Sequence, residues 1–545
     1  MSHWFRNSVF FGVCLAAMLA VVIGMLRPAK LVAPQDPAPE VVASDGFTNA
    51  VARVDQSFEA HWKQAGVAPV EPAPSLAIAR RLSLALTGTI PSLEELRALE
   101  AVPEGERAQW WLSHLFEDRR HGDYLAERFA RMLVGVEDGP FIVYRRHRLS
   151  SWLSDQIMAN QPYDKLAGEL ITAEGIWTSH PEVNFITVTM DQNNKEEGPD
   201  QVKLAGRVAR AFLGVRLDCV ECHDDFLGGS WKQRDFHQLA AFFAQSEMSM
   251  TGVWDNAKKN HQVRMRGQPE PAPVEAAVPF NAALLEEEGD LRPRLAAWVT
   301  HPENRPFARA AVNRVWALMF NQPLHQPVDD IPIEGELPPG MEALAGDFIE
   351  HGFDLRRLIR LIAATKVFQM DSRSADPSHP ATGEQRKALA VFPLTRMRPE
   401  QVAGSLLQSA NLKTIDANSH VLVRIMRFMQ QNDFVKRYGD KGEDEFGVAA
   451  GTIPQRLILM NGNLVHERTK QDLVMNAATR VGVVSPDDET AVETAYLVVL
   501  TRRPTPEERA HFVSRLKDDT ELKRPQLMED LFWTLLNSTE FSWNH

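Results

Sequence analysis

Cys219-Val220-Glu221-Cys222-His223 is the stretch from which the chain is best read. It is a C-x-x-C-H run, the attachment signature of a c-type haem. Two thiols three positions apart on one turn of helix reach two neighbouring vinyl groups. The next residue, His223, then offers its imidazole to the iron from the proximal side. The chain holds three cysteines, and the third, Cys14, lies in an apolar N-terminal run. Every cysteine outside that run is therefore in the motif. The same pair also fits a disulfide, a buried structural pair or half of a zinc site, because C-x-x-C is shared with redox and zinc sites.

The residues on either side predict helices. Pro199 opens one whose stripe is Val202, Ala205, Ala209 and Phe212, and Gly214 breaks it just before the motif. A turn at Gly228-Gly229-Ser230 follows. The next helix is expected over Asp235 to Gln245, with Phe236, Leu239, Ala240 and Phe243 on one face. Apolar walls of this kind exclude water from a haem, and they serve an ordinary helical core equally well.

A sixth iron position takes Met or His, and Met raises the potential. His237, Met248 and Met250 follow the motif closely enough to be distal candidates. The two methionines read as loop residues after the helix. His180 and His261 are more remote choices. An open position would permit peroxide chemistry. Lys232, Arg234 and Arg210 are charges that could meet haem propionates, or simply be solvated.

Helical patterns continue on both sides. Before the motif they cover Val51 to Trp62, Ser75 to Leu86, a start at Pro91, Trp110 to Leu115, Tyr124 to Val134, and Arg148 to Gln161. Thr87-Gly88 reads as a C-cap, and Ser92 with Glu95 as a capping box. After a Pro/Ala-rich linker at 268–279 they cover 292–300, 307–320, 341–350, 355–368, 400–410, 455–464, 467–478, 490–500, 507–516 and 526–537. A proline-broken loop fills 321–339. No run of alternating strand pattern is found. Leu86-Thr87-Gly88-Thr89-Ile90-Pro91-Ser92 recurs in style at Leu500-Thr501-Arg502-Arg503-Pro504-Thr505. Each reads as a helix end, a proline turn and a new capped start.

The string Phe212-Leu213-Gly214-Val215-Arg216-Leu217-Asp218-Cys219-Val220-Glu221-Cys222-His223-Asp224 resembles the planctomycete cytochrome-type (PSCyt) domain of unknown function. Arg81-Leu82-Ser83-Leu84-Ala85-Leu86-Thr87-Gly88 and Trp231-Lys232-Gln233 carry the same resemblance, which covers roughly residues 50 to 250. Members often show C-H-x-H, and here Asp225 stands at the second histidine. The later half is similar to the partner (PSD) domain that commonly follows. The strings are Pro306-Phe307-Ala308-Arg309-Ala310-Ala311-Val312-Asn313-Arg314-Val315-Trp316, Gly352-Phe353-Asp354-Leu355 and Asn461-Gly462-Asn463. The resemblance implies architecture more than activity.

Ser8 to Leu26 is apolar, uncharged and just long enough to span a bilayer. No clear A-x-A site follows, so an uncleaved signal anchor is expected. Thioether attachment happens outside the cytoplasmic membrane in bacteria, which places the bulk in the periplasm or beyond. A formal net charge of −13 argues against nucleic acid as a partner. No G-x-S-x-G, H-E-x-x-H or phosphate-cradling loop points to hydrolysis, and the sequence leaves open whether the chain is an enzyme.

The expected protein is thus mainly α, with two helical domains behind an N-terminal membrane anchor. The divisions are 1–30 anchor or signal segment, 31–50 Pro-rich linker, 51–265 cytochrome-type domain, 266–279 linker and 280–545 C-terminal domain. One covalent haem c is expected on Cys219, Cys222 and His223, for single-electron transfer with an unknown redox or protein partner. The alternatives are a helical scaffold or interaction protein whose C-x-x-C is a disulfide or metal half-site, a thiol oxidoreductase, and a haem-dependent oxidase or peroxidase.

Overall fold

The computed structural model describes residues 12, 45–136, 143–190, 198–224, 231–266, 268–374, 376, 378–416, 419, 421–439, 446, 451–473, 476–518 and 523–545. The expected anchor, apart from residue 12, lies outside these. Among the described residues no helix is long and apolar enough to cross a membrane. The protein is mainly helical, and its first helix, α1 (Asp45–Ala65), opens six residues before the expected 51.

The helix α2 (Ser75–Thr87) organises the packing. Every residue from Ile78 to Thr87 is buried, so it is enclosed on all sides. Leu82, Ala85 and Leu86 belong to a core drawn from residues 47–392 with Phe446. Leu84 belongs to a second core, drawn from 397–541 with Ile90. Truncating a side chain such as Leu82 to alanine would cost about 2–5 kcal/mol.

Two arginines hold α2 in place through hydrogen bonds to backbone oxygens. Arg80 donates to the Phe541 carbonyl at 3.1 Å. Arg81 donates to the Phe368, Met370 and His545 carbonyls at 2.9, 2.7 and 2.9 Å. Its guanidinium carbon sits 3.6 Å from the centroid of the Phe392 ring. Burial pushes Arg81 down to about 9, with Asp371 pulling the other way.

The first core continues across the Pro/Ala-rich segment at 266–279. Tyr163 stacks on Phe307 at 5.3 Å between ring centroids, and Phe212 lies 6.4 Å from the same ring. Within that segment, Ala272–Val274 pairs antiparallel with His261–Val263. These short strands are minor additions to the mainly α fold expected from the sequence. Among the described residues there are three two-stranded ladders, of two to four residues per strand. Such strands are too short for a period-2 pattern to stand out.

Many helix ends follow their sequence signals. Gly88 takes φ 65 as the C-cap of α2. Ser92 and Glu95 form the capping box of the next helix, Leu93–Glu100. At the recurring joint, Thr501 takes φ 58, and Thr505 and Glu508 exchange the two capping hydrogen bonds. Three expectations fail, the first being the helix over 355–368, which divides into Leu355–Ala364 and Lys366–Gln369. The helix expected over 467–478 divides into Asn463–Thr469 and Ala477–Val484. The one expected over 235–245 runs Gln233–Ala240, then tightens into a 3₁₀ turn at Ala241–Phe243.

Candidate functional site

The approach to the motif starts at Asp200, whose carboxylate accepts from the Val202 and Lys203 amides at 3.0 Å each. That cap starts the helix Gln201–Val208, which widens into a π turn at Ala209–Leu213 and stops at Gly214. Gly214 adopts φ 62, and a Cβ there would lie 3.1 Å from Ile331 Cδ1 and 3.2 Å from Ala310 Cβ. Both the backbone angle and the crowding require glycine.

The C-terminal half buttresses this point. The Ile331 amide donates to the Gly214 carbonyl at 2.7 Å. Arg216 donates to Asp329 Oδ1 from Nε at 2.9 Å and from Nη2 at 2.6 Å. Asn313 shapes the loop that delivers these contacts. Its amide nitrogen donates to the His325 and Val328 carbonyls, and its Oδ1 accepts from the His325 amide.

The motif itself is not on a turn of α-helix. Asp218–Val220 is a short 3₁₀ turn, and the Glu221 amide donates back to the Asp218 carbonyl at 3.2 Å. Val215, Leu217 and Val220 are buried, while Glu221, Cys222 and Asp224 are exposed. Cys222 carries a free thiol. The Cys219 side chain and residues 225–230, which include Asp225 and the expected glycine turn, lie outside the described set.

His223 is half-buried, and its Nδ1 lies 2.9 Å from the Asp224 carbonyl oxygen. A carbonyl only accepts, so Nδ1 carries the proton and the lone pair sits on Nε2. This is the tautomer in which an imidazole ligates a metal through Nε2. An exposed thiol and a histidine in this tautomer fit covalent haem with proximal ligation.

His237, one of the distal candidates, does not lie at the surface. It is 3% exposed, inside the fold. Its Nε2 lies 3.0 Å from the Glu221 carbonyl and its Nδ1 lies 3.1 Å from His261 Nε2. The two rings stack with centroids 5.3 Å apart. Burial holds the His237 pKa below its usual value, against the pull of the Glu221 carbonyl. Burial, then the neighbouring His237, pushes His261 down to about 4. The far nitrogen, His261 Nδ1, lies 2.6 Å from Gln201 Oε1. A neutral His261 takes that bond from the Gln201 NH2, which a half-turn of the amide provides.

Only one of the two methionines, Met250, lies in a turn as expected. Met248 lies on the strand Ser246–Ser249, half-buried against the first core. Met250 is fully exposed at the turn to Gly252–Asp255, which Gly252 closes at φ 116. Arg210 is paired with Asp218, and Lys232 and Arg234 are exposed. His180 is on the surface beside Glu182. Gln233, which is not among the expected site residues, donates from Nε2 to the Glu221 carbonyl at 3.0 Å. Its spacing of four from His237 was the available signal. Among the described residues, Asp347, Glu350 and His351 are a group close enough to share a metal, but Asp347 is already held by both nitrogens of the Arg357 fork.

Residues 53–248 match the model of a family described as PSCyt2, a protein of unknown function (DUF1549). Residues 291–433 match a second, PSD1, a protein of unknown function (DUF1553). No curated protein and no solved structure matches the chain. The latch between Arg216 and Asp329 thus joins one matched region to the other, and the chain belongs to the proteins in which a DUF1549 domain is followed by a DUF1553 domain.

Proposed function

We propose that the chain is a membrane-anchored c-type haem protein whose bulk lies outside the cytoplasmic membrane. Cys219 and Cys222 would hold one haem by thioether bonds, and His223 would bind its iron through Nε2. The bound group supplies reversible one-electron chemistry. The chain supplies burial on one side, a fixed imidazole tautomer and a rigid base for the motif.

The observation that carries this reading is the hydrogen bond from His223 Nδ1 to the Asp224 carbonyl at 2.9 Å. It puts the lone pair where a proximal ligand needs it, beside an exposed Cys222 thiol. Val215, Leu217 and Val220 anchor the motif in the core, so its polar edge is held at the surface. The anchor rests on the 19-residue apolar run from Ser8 to Leu26. The divisions at 31–50 and 266–279 rest on composition, and the matched regions fall on either side of the second.

Expression of the full-length protein together with a cytochrome c maturation system tests the reading. Haem that stays with the polypeptide through denaturation and acid extraction supports it. Denatured protein without haem contradicts it. In the loaded protein, single replacements of Met248 and Met250 report through the visible spectrum whether either reaches the sixth position.

A further inference from the structure

One carbonyl inside the motif accepts two side-chain hydrogen bonds. Gln233 Nε2 and His237 Nε2 each lie 3.0 Å from the Glu221 oxygen. The two donors sit one turn apart on the helix Gln233–Ala240, so both face the same point. Glu221 stands between the motif cysteines, one residue before Cys222 and two before His223.

The hold extends to both ends. The Gln233 amide donates to Asp224 Oδ1 at 2.9 Å, just past the motif, and Gln233 Oε1 accepts from the Arg266 amide at 2.9 Å. Behind His237 stand His261, on the strand His261–Val263, and Gln201, on the helix that leads into the motif. Three elements therefore converge on one peptide of an exposed loop. The neighbouring Glu221 and Cys222 side chains are in solvent, so without these donors the peptide could satisfy its oxygen with water in many orientations.

We infer that His237 is a positioning residue for haem attachment, fixing through the Glu221 carbonyl the directions in which Cys222 and His223 leave the chain. The inference rests on the proposed haem reading. A thioether-bound group needs both thiols and the imidazole held to about 0.5 Å, and a clamp on the peptide between them does this. In this role His237 is not the sixth ligand. Its Nε2 proton points at an oxygen, and its Nδ1 lone pair takes the His261 proton.

The test compares full-length wild type with His237→Phe and His237→Gln, each made with and without haem maturation. In the haem-free protein, hydrogen exchange of the 215–224 peptide should rise about fivefold or more in His237→Phe, the loss of one buried hydrogen bond. His237→Gln, whose amide reaches the same carbonyl, should stay near wild type. In the matured protein, His237→Phe should lower covalent haem per folded chain, leave the spectrum of the attached haem unchanged, and be rescued by His237→Gln. Unchanged exchange in His237→Phe overturns the clamp. Full attachment with an altered spectrum makes His237 an iron ligand instead, and also overturns it. Haem-free wild type would defeat the underlying haem reading, while the exchange comparison would still decide whether the clamp exists.

Discussion

Asp329 accepts two hydrogen bonds from Arg216, three residues before Cys219, and so ties the loop after the helix Arg305–Phe320 to the approach of the motif. With Ile331 bonded to Gly214, it gives the DUF1553 region a physical role, as a support for the segment that presents the cysteines. The Arg216 side chain is 37% exposed, so solvent screens much of the charge. Asp329→Ala should therefore cost only about 0.5–1 kcal/mol in urea denaturation. A loss beyond about 3 kcal/mol would mean that the contact holds the two regions together by itself.

Arg81 should matter far more. It is fully buried, and three backbone carbonyls from two distant segments depend on it. Arg81→Met keeps the stem but strands those oxygens, at a cost on the order of 3 kcal/mol or more. Chemical denaturation of the variant measures this directly. A shift under about 1 kcal/mol would show that water or rearrangement replaces the guanidinium easily.

The buried histidines give stability a pH signature. His237, His261, His121 and His545 are all held below the ordinary value of 6.5 by burial, His261 and His121 at about 4. The unfolded chain then binds more protons than the folded one between those values. Stability is full above about 6.5 and falls as the pH drops towards 4. Glu95 acts later: burial opposes its ionised form, but Arg120 and His114 prevail and hold its pKa well below the usual carboxylate range. Its contribution is present above about 4.5 and is lost on further acidification. His261→Gln should lessen, without abolishing, the loss between pH 6.5 and 4.5 in denaturation series while keeping the later fall, because His121, His237 and His545 remain. An unchanged slope in that window would contradict the assignment.

Much of the helical scaffold was legible in the sequence because its punctuation is local. Gly88, Ser92 with Glu95, and Thr505 with Glu508 mark helix ends by chemistry within one turn, and each does what its residue type requires. The ends of Met341–Glu350 were read without error. The sequence pattern predicts neither Tyr163–Thr172 nor Val421–Tyr438, nor the short helices Asn184–Thr187 and Gly383–Lys387. The first follows Pro162, which reads as a stop although it also serves as an N-cap. The hairpin at Met248 and Met250 is not legible as strands, because four-residue strands carry too little periodicity.

The site was legible in its reactive residues and not in its supports. Cys219, Cys222 and His223 stand together in sequence. His237 and Gln233 join them only through the Glu221 carbonyl, and Asp329 only through Arg216, more than a hundred residues away. A histidine next to an apolar stripe gives no sign of facing a backbone oxygen. That information exists only once the helix Gln233–Ala240 is docked.

The central claim is covalent haem on the C-x-x-C-H motif. Its most direct measurement is the intact mass of the denatured full-length protein, produced with haem maturation, beside a double variant carrying both Cys219→Ala and Cys222→Ala. The wild type should carry the mass of one haem, and the double replacement none. A wild type at the mass of the bare polypeptide, or a double variant that still carries haem through denaturation, would contradict the account.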